Sequence, residues 1–216
     1  MQLPHRDGDP PLVVQVWGPG ALFTRPESKV ERITYPVMTP SAAVGVLEAI
    51  FWKPEFRWDV VGIEVLKPIK LGSIRRNETS QVLSMGSALS GQVVDTVGSR
   101  TQRATTYLLD VAYRIHAHAV LHAHATEPVA KYRDQFRRRV ARGASFSTPY
   151  LGTREFVAHF GPPDNCLPIA VTEDLGVMLH SITFGEGGHD PASHWFQAQL
   201  ENGLMRVPSL DDLEGA

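Results

Sequence analysis

YLLDVAYRIHAHAVLHAHA, residues Tyr107–Ala125, places its histidines and its apolar side chains largely on opposite parities. Val111, Tyr113, Ile115, Ala117, Ala119, Leu121 and Ala123 share one parity, and His116, His118, His122 and His124 share the other. A period of two predicts a strand with one face on a core and the other polar. Downstream, Val129 to Val140 predicts a basic helix in which Phe136 and Val140 stand four apart and Gly143 caps the end. Upstream, residues 78–103 are rich in Ser, Gly, Thr and Gln without sustained periodicity, which predicts a long exposed loop. Before it, Arg57 to Ile69 predicts a second strand and a third, running into Lys67, Lys70, Arg75 and Arg76. Thr39 is placed to cap a helix with Pro40 at its first position, Ala43, Val46, Leu47 and Ile50 on one face, and Pro54 as its stop. Leu12 to Trp17 predicts a buried strand closed by a turn at Gly18-Pro19-Gly20.

From Phe156 onward, the short apolar runs Ile169–Val171, Val177–Phe184, His194–Leu200 and Met205–Val207 alternate with turn residues, which predicts a small antiparallel β unit. The order strand, helix, strand, strand, loop, strand, helix is that of an α+β, ferredoxin-like (RRM-like) domain. The expected division is residues 1–160, with the long loop inserted near 78–103, followed by a small antiparallel β subdomain over 161–216. Sheets of this kind often serve as RNA platforms, but a fold alone does not establish a function.

The 216 residues are 43% hydrophobic, enough for a substantial core. No apolar run approaches the ~20 residues that span a bilayer, and the polar start, Met1 to Pro11, predicts a cytoplasmic protein without a membrane partner. The single cysteine, Cys166, excludes an internal disulfide and a Cys-type zinc site. A formal net charge of −2 hides a strong asymmetry. Residues 67–142 hold 13 Lys/Arg against 5 Asp/Glu, whereas residues 143–216 hold 2 against 10. The basic middle is either a phosphate-binding surface or is neutralised by the acidic last third.

Three clusters are candidates for chemistry. The four histidines would line one strand face, with His116 and His124 ~26 Å apart, so they cannot all reach one metal ion without a turn. Read as a helix instead, His118 and His122 lack the glutamate of a zincin motif. His116 and His118 are candidates for a sheet surface that meets RNA, against the plainer reading of a polar face. The second cluster, Lys131-Tyr132-Arg133-Asp134-Gln135-Phe136-Arg137-Arg138-Arg139 with Arg142, is a cationic helix able to track phosphates, or a solvated basic face. The third joins Arg25 and Lys29 to Phe51-Trp52-Lys53-Pro54, where Trp52 is a candidate to stack on a base and Lys53 to bind phosphate. Phe51 and Trp52 also fit the end of an apolar helix face. Arg75, Arg76, Arg100, Arg103 and Arg154 complete the candidate RNA contacts. The sequence has no Walker loop, Gly-x-Ser-x-Gly elbow or paired-carboxylate metal motif, and no cofactor is expected.

Four stretches, VWGPGALFTRPESKVERITYPVMTPSAAVGVLEAIFWKPEFRW, PIKLGSIRRNE, TTYLLDVAYRIHAHAVL and FRRRVARGASFSTPYLGTREF, resemble the fifth Cas protein family of the CRISPR-associated RAMP superfamily, in its type I-C (Dvulg) subtype. ENGLMRVP near the end fits as well. The resemblance implies a subunit that binds the 5′ handle of CRISPR RNA in a Cascade complex, beside the large subunit and the backbone subunits, and that meets target DNA through the complex. It also implies cleavage of precursor CRISPR RNA without a metal, by attack of a ribose 2′-OH on the adjacent phosphate. The catalytic groups it implies are a Tyr at position 51 and a Lys-His pair at 131 and 132. This chain has Phe51, Lys131 and Tyr132, so only the lysine type is kept. Tyr132 is the poorer base unless Lys131 lowers its pKa. A subunit that caps RNA without cutting it is the alternative, and a metal-dependent enzyme built on the histidine face is a more distant one.

Overall fold

The computed structural model describes residues 3–28, 30–185 and 190–214. In chain order these form β1 (Leu12–Ala21), β2 (Arg32–Ile33), α1 (Pro40–Ile50), β3 (Phe56–Val65), β4 (Leu71–Thr79), α2 (Met85–Leu89), β5 (Arg100–Leu121), α3 (Val129–Arg142), β6 (His159–Gly161), β7 (Glu173–Thr183), β8 (Ala192–Glu201), β9 (Leu204–Arg206) and α4 (Leu210–Glu214). One mixed sheet runs β6-β1-β5-β3-β9-β8-β7, antiparallel throughout this path, with β2 and β4 added on β5. Among the described residues, no helix is long and apolar enough to cross a membrane.

The odd-numbered residues of β5 face the core as the alternation requires: Val111, Tyr113, Ile115, Ala117 and Ala119 are all buried. They belong to one cluster with Ala43, Val46, Leu47 and Ile50 of α1 and with Tyr132, Phe136 and Val140 of α3. Trp58 and Phe136 meet with ring centroids 4.8 Å apart, so α3 is held to β3 by aromatic contact as well as by area. Thr39 caps α1, its Oγ1 accepting from Ala42 N at 3.3 Å, and Gly143 ends α3 in the left-handed conformation at φ 63°.

Three expectations are corrected. The turn at Gly18-Pro19-Gly20 is absent, because β1 continues to Ala21. Glycine is needed there for close packing: a Cβ on Gly18 would lie 2.9 Å from Leu151 Cδ1, and one on Gly20 would lie 2.8 Å from Phe156 Cε1. The loop over 78–103 is shorter than expected, because β4 and β5 extend into it as a two-stranded arm with Arg76 opposite Arg103 and Glu78 opposite Thr101. Glu78 ties this arm together by pairing with Arg76 at 3.2 Å and with Arg103 at 3.3 Å. Both faces are polar, so no apolar alternation marks the strands. Third, β5 ends at Leu121, so His122 and His124 leave the strand and their rings stack on each other, 5.7 Å apart.

Asp110 divides β5. Its φ of 47° is a left-handed kink that Asp tolerates better than most residues, and its Oδ1 accepts from Lys67 Nζ at 2.6 Å. Beyond it, the strand lies between β1 and β3; before it, the strand pairs with β4 in the arm. At the other end of the sheet, Asn202 and Gly203 have φ of 49° and 79°, the hairpin turn that joins β8 to β9. Because β9 pairs with β3, the C-terminal strands prolong the sheet.

Candidate nucleic-acid interface

The site forms where the C-terminal ends of α1 and α3 meet. The last carbonyls of α1 have no partners within the helix. Arg139 Nη1 donates to Ile50 O at 3.0 Å, and the amides of Phe146 and Ser147 donate to Ala49 O at 2.8 and 3.1 Å. The left-handed Gly143 turns the chain off α3, and these two amides lay the exposed segment 144–148 across the end of α1. Two hollows result. One, of about 430 Å³, is lined by Gln135, Arg138, Arg139, Arg142, Ala144 and Ser145. The other, of about 340 Å³, lies between Gly45, Glu48, Ala49 and Trp52 on α1's side and Phe146, Ser147 and Tyr150 opposite. Tyr150 continues into further hollows toward Arg154 and toward Phe23 and Tyr35.

The helix's arginines therefore divide by role. Arg138 and Arg142 are exposed, and no ion pair engages either among the described residues. Arg139 is half-buried and structural, its guanidinium 5.4 Å from the Phe51 ring centroid. Arg137 points away to pair with Asp134 at 3.1 Å. Arg133 is 3% exposed; it donates to Pro10 O at 2.7 Å and pairs with Asp9, which ties the N-terminal segment to α3.

Of the three positions assigned by resemblance to catalysis, 51 and 132 come together. Phe51 and Tyr132 both pack on Phe56, at 5.5 and 5.3 Å between ring centroids. Both are core residues, however, 1% and 4% exposed. Burial pushes the Tyr132 phenol up, and the Glu55 and Glu127 carboxylates add to this, outweighing Lys131. Lys131 thus does not bring the Tyr132 phenol below its ordinary value, and Tyr132 is the poorer base. Lys131 itself is exposed and paired with Glu127. Two exposed imidazoles lie in the segment between β5 and α3: His124 Nε2 donates to Pro54 O at 3.0 Å, and His122 N donates to Glu55 O at 2.9 Å.

Other candidates are scattered. Trp52 and Lys53 are exposed at the site, and Arg154 is exposed at its margin. Arg75 and Arg100 project from the arm, whereas Arg76 and Arg103 are engaged by Glu78, and Arg76 also by Glu155 at 3.2 Å. Arg25 stacks over the Tyr35 ring at 4.6 Å. Lys29 lies outside the described residues.

His116 and His118 do not form an open RNA platform. His118 is 3% exposed and bonded to Pro4 O at 3.0 Å, because the N-terminal segment covers this face. His116 lies 3.2 Å from Glu64, which also binds Arg114. Burial pushes the Glu64 carboxyl up, but the adjacent His116 ring and the Arg114 guanidinium hold it below its ordinary value. Among the described residues, no group of three or more His, Cys, Asp or Glu is arranged to hold a metal ion. Sequence reasoning missed Phe146, Tyr150 and Glu48. The available signal was two aromatics among small and polar residues just after the glycine that ends α3.

The family model described as CRISPR-associated protein (Cas_Cas5) matches residues 11–208. The chain belongs to the Cas5d family. A relative from Thermus thermophilus, named CRISPR pre-crRNA endoribonuclease Cas5d, is 49% identical over 215 residues, covering 92% of this chain and 91% of the relative. One of the same name from Mannheimia succiniciproducens is 45% identical over 213 residues, covering 90% and 93%. A solved CRISPR-associated protein shares this Cas5d chain's fold, with a TM-score of 0.68 at 24% identity over 94% of each chain. So does a functionally uncharacterized protein, SMU1763c from Streptococcus mutans, with a TM-score of 0.67 at 21% identity over 94% of each chain.

Proposed function

We propose that this chain is a precursor CRISPR RNA endoribonuclease that keeps the 5′ handle after cutting and serves as a subunit of a type I-C Cascade complex. The observation that carries the reading is the recess of Arg138 and Arg142 lying beside a groove lined by Trp52, Phe146 and Tyr150. Cations that follow phosphates next to rings that stack on bases are what single-stranded RNA requires. The near-half identity to relatives named as pre-crRNA endoribonucleases supports the same reading.

In the cleavage step the ribose 2′-OH loses a proton as its oxygen attacks the adjacent phosphorus, and the 5′-oxygen leaves and takes up a proton, giving a 2′,3′-cyclic phosphate. Lys131 is the exposed cation assigned to the charge that grows on the phosphate. The buried Tyr132 phenol and the Phe51 ring are unsuited to proton transfer. We assign that role to His122 and His124, exposed imidazoles whose ring nitrogens can take up and give back a proton. Incubation with the labelled cognate repeat RNA tests the activity: a product with a 2′,3′-cyclic end, formed in EDTA and blocked by a 2′-deoxy at the cut, is expected. Burial of the positions at 51 and 132 favours a second reading, a subunit that binds the handle without cutting. Tight binding with no cleavage in a single-turnover assay selects it.

In the same reading, β1-α1-β3-β5-α3-β6 is a ferredoxin-like RAMP core, since its strands lie in the spatial order β6-β1-β5-β3. The domain limits proposed are 1–160 and 161–216, the protein is cytoplasmic, and its neighbours are the large and backbone subunits, with target DNA reached through the complex.

A further inference from the structure

We propose that the groove between α1 and the 146–150 segment is a pocket for one unpaired nucleobase, and that Glu48 selects guanine there. The inference rests on the RNA-binding reading above and adds a base preference to it.

Trp52, Phe146 and Tyr150 are 52%, 77% and 41% exposed, three large aromatic side chains around one hollow. Its floor is one side of α1. Gly45, Glu48, Ala49 and Trp52 fall three or four residues apart and so share one side of α1 and its end. A Cβ on Gly45 would meet nothing within 4 Å, so the space above it is open, and Ala49 lines the same hollow with a small side chain. The two hydrogen bonds to Ala49 O hold the opposite wall in place. A volume of about 340 Å³ lies within the usual range of small-ligand sites, about 300–1,000 Å³.

The informative residue is Glu48. It lines this hollow, no hydrogen bond or ion pair engages its side chain among the described residues, and burial pushes its carboxyl up. A carboxylate repels phosphate, so an RNA strand lying here must turn a base toward Glu48 while its phosphates go to Arg138 and Arg142. A carboxylate only accepts hydrogen bonds. Guanine offers two adjacent donors, N1–H and the 2-amino group, for its two oxygens. Adenine and cytosine place a lone-pair nitrogen beside their single amino group, and uracil flanks its one N–H with carbonyls. The groove therefore suits an unpaired guanine, stacked on the rings and bonded by its edge to Glu48.

The test titrates the full-length protein with seven-residue oligouridines that carry one central guanosine, inosine or adenosine, with fluorescence anisotropy as readout. Inosine keeps N1–H and lacks the 2-amino group. The unsubstituted protein should bind the guanosine oligomer ~10-fold more tightly than the inosine one, the effect of one lost hydrogen bond to a charged acceptor. Glu48→Ala should bind the two alike. Trp52→Ala and Tyr150→Ala should weaken all three oligomers, and guanosine should quench tryptophan fluorescence in the unsubstituted protein more than in Trp52→Phe. Equal binding of guanosine and inosine oligomers, or a preference that survives Glu48→Ala, overturns the inference and leaves RNA binding intact. Failure of the unsubstituted protein to bind any oligomer or the repeat RNA overturns both. Thermal melts confirm that each variant is folded.

Discussion

Replacing Arg139 by Ala should destabilise the protein, whereas the same change at Arg138 or Arg142 should weaken RNA binding alone. Arg139 Nη1 satisfies Ile50 O at 3.0 Å, and its guanidinium lies over Phe51. A hydrogen bond from a charged donor is worth ~1.5–3 kcal/mol, and a cation over a ring adds ~0.5–1 kcal/mol at an exposed site. Arg139 is half-buried, so the low end applies and the loss is ~2 kcal/mol, a fall in Tm of ~4–8 °C for a chain of this size. The segment 144–148 rests on the same helix end, so Arg139→Lys, which lacks the planar fork, should recover only part of the loss. Arg138→Ala and Arg142→Ala should melt with the unsubstituted protein. In a salt series with repeat RNA, each should lower the slope of log K against log salt by ~0.7, one single-strand phosphate contact. An Arg139→Ala protein that melts unchanged, or an Arg138→Ala protein that melts as early as Arg139→Ala is expected to, refutes the division of roles.

Lys131→Ala should slow cleavage ~100-fold or more while leaving affinity within a few-fold, as measured by single-turnover rates beside equilibrium binding; equal losses in both would make Lys131 a binding residue. Tyr132→Phe should cut at nearly the normal rate, because its buried phenol has been pushed away from the neutral range. His122→Ala with His124→Ala should lose ~100-fold, flatten the pH–rate profile and recover with added imidazole, and a double variant with normal rates would return the proton transfer to another group. The Glu64 carboxyl is held low in the folded state, so its stabilising contribution is present above its unfolded value of about 4.3 and is lost as pH falls through the lower folded value. Urea melts from acid to neutral pH should show a shallower acid limb in Glu64→Gln, together with lower stability at neutrality because Arg114 loses the nearer of its two carboxylate partners.

Strand β5, both long helices and their caps at Thr39 and Gly143 were legible in the sequence, because each is set by local periodicity and by single residues with special backbone preferences. The basic helix was legible too, and so was the resemblance carried by the stretches around it. What the sequence could not rank was its arginines. Arg133, Arg137, Arg138, Arg139 and Arg142 are chemically alike; Arg137 pairs locally with Asp134 three residues back, and only the packing of α3 against α1 and the N-terminal segment buries Arg133 and turns Arg139 inward. The histidine face reads as open in one dimension, but residues from the far N-terminus close over it, a contact of 114 residues' separation between Pro4 and His118. The groove of Trp52, Phe146 and Tyr150 has the same origin. Its walls lie almost a hundred residues apart in the chain, and they meet because the end of α1 has carbonyls to satisfy and the amides of Phe146 and Ser147 supply the donors. Composition and periodicity thus determined which elements form. Long-range hydrogen bonding and burial decided which of their charged and aromatic side chains remain free to meet RNA.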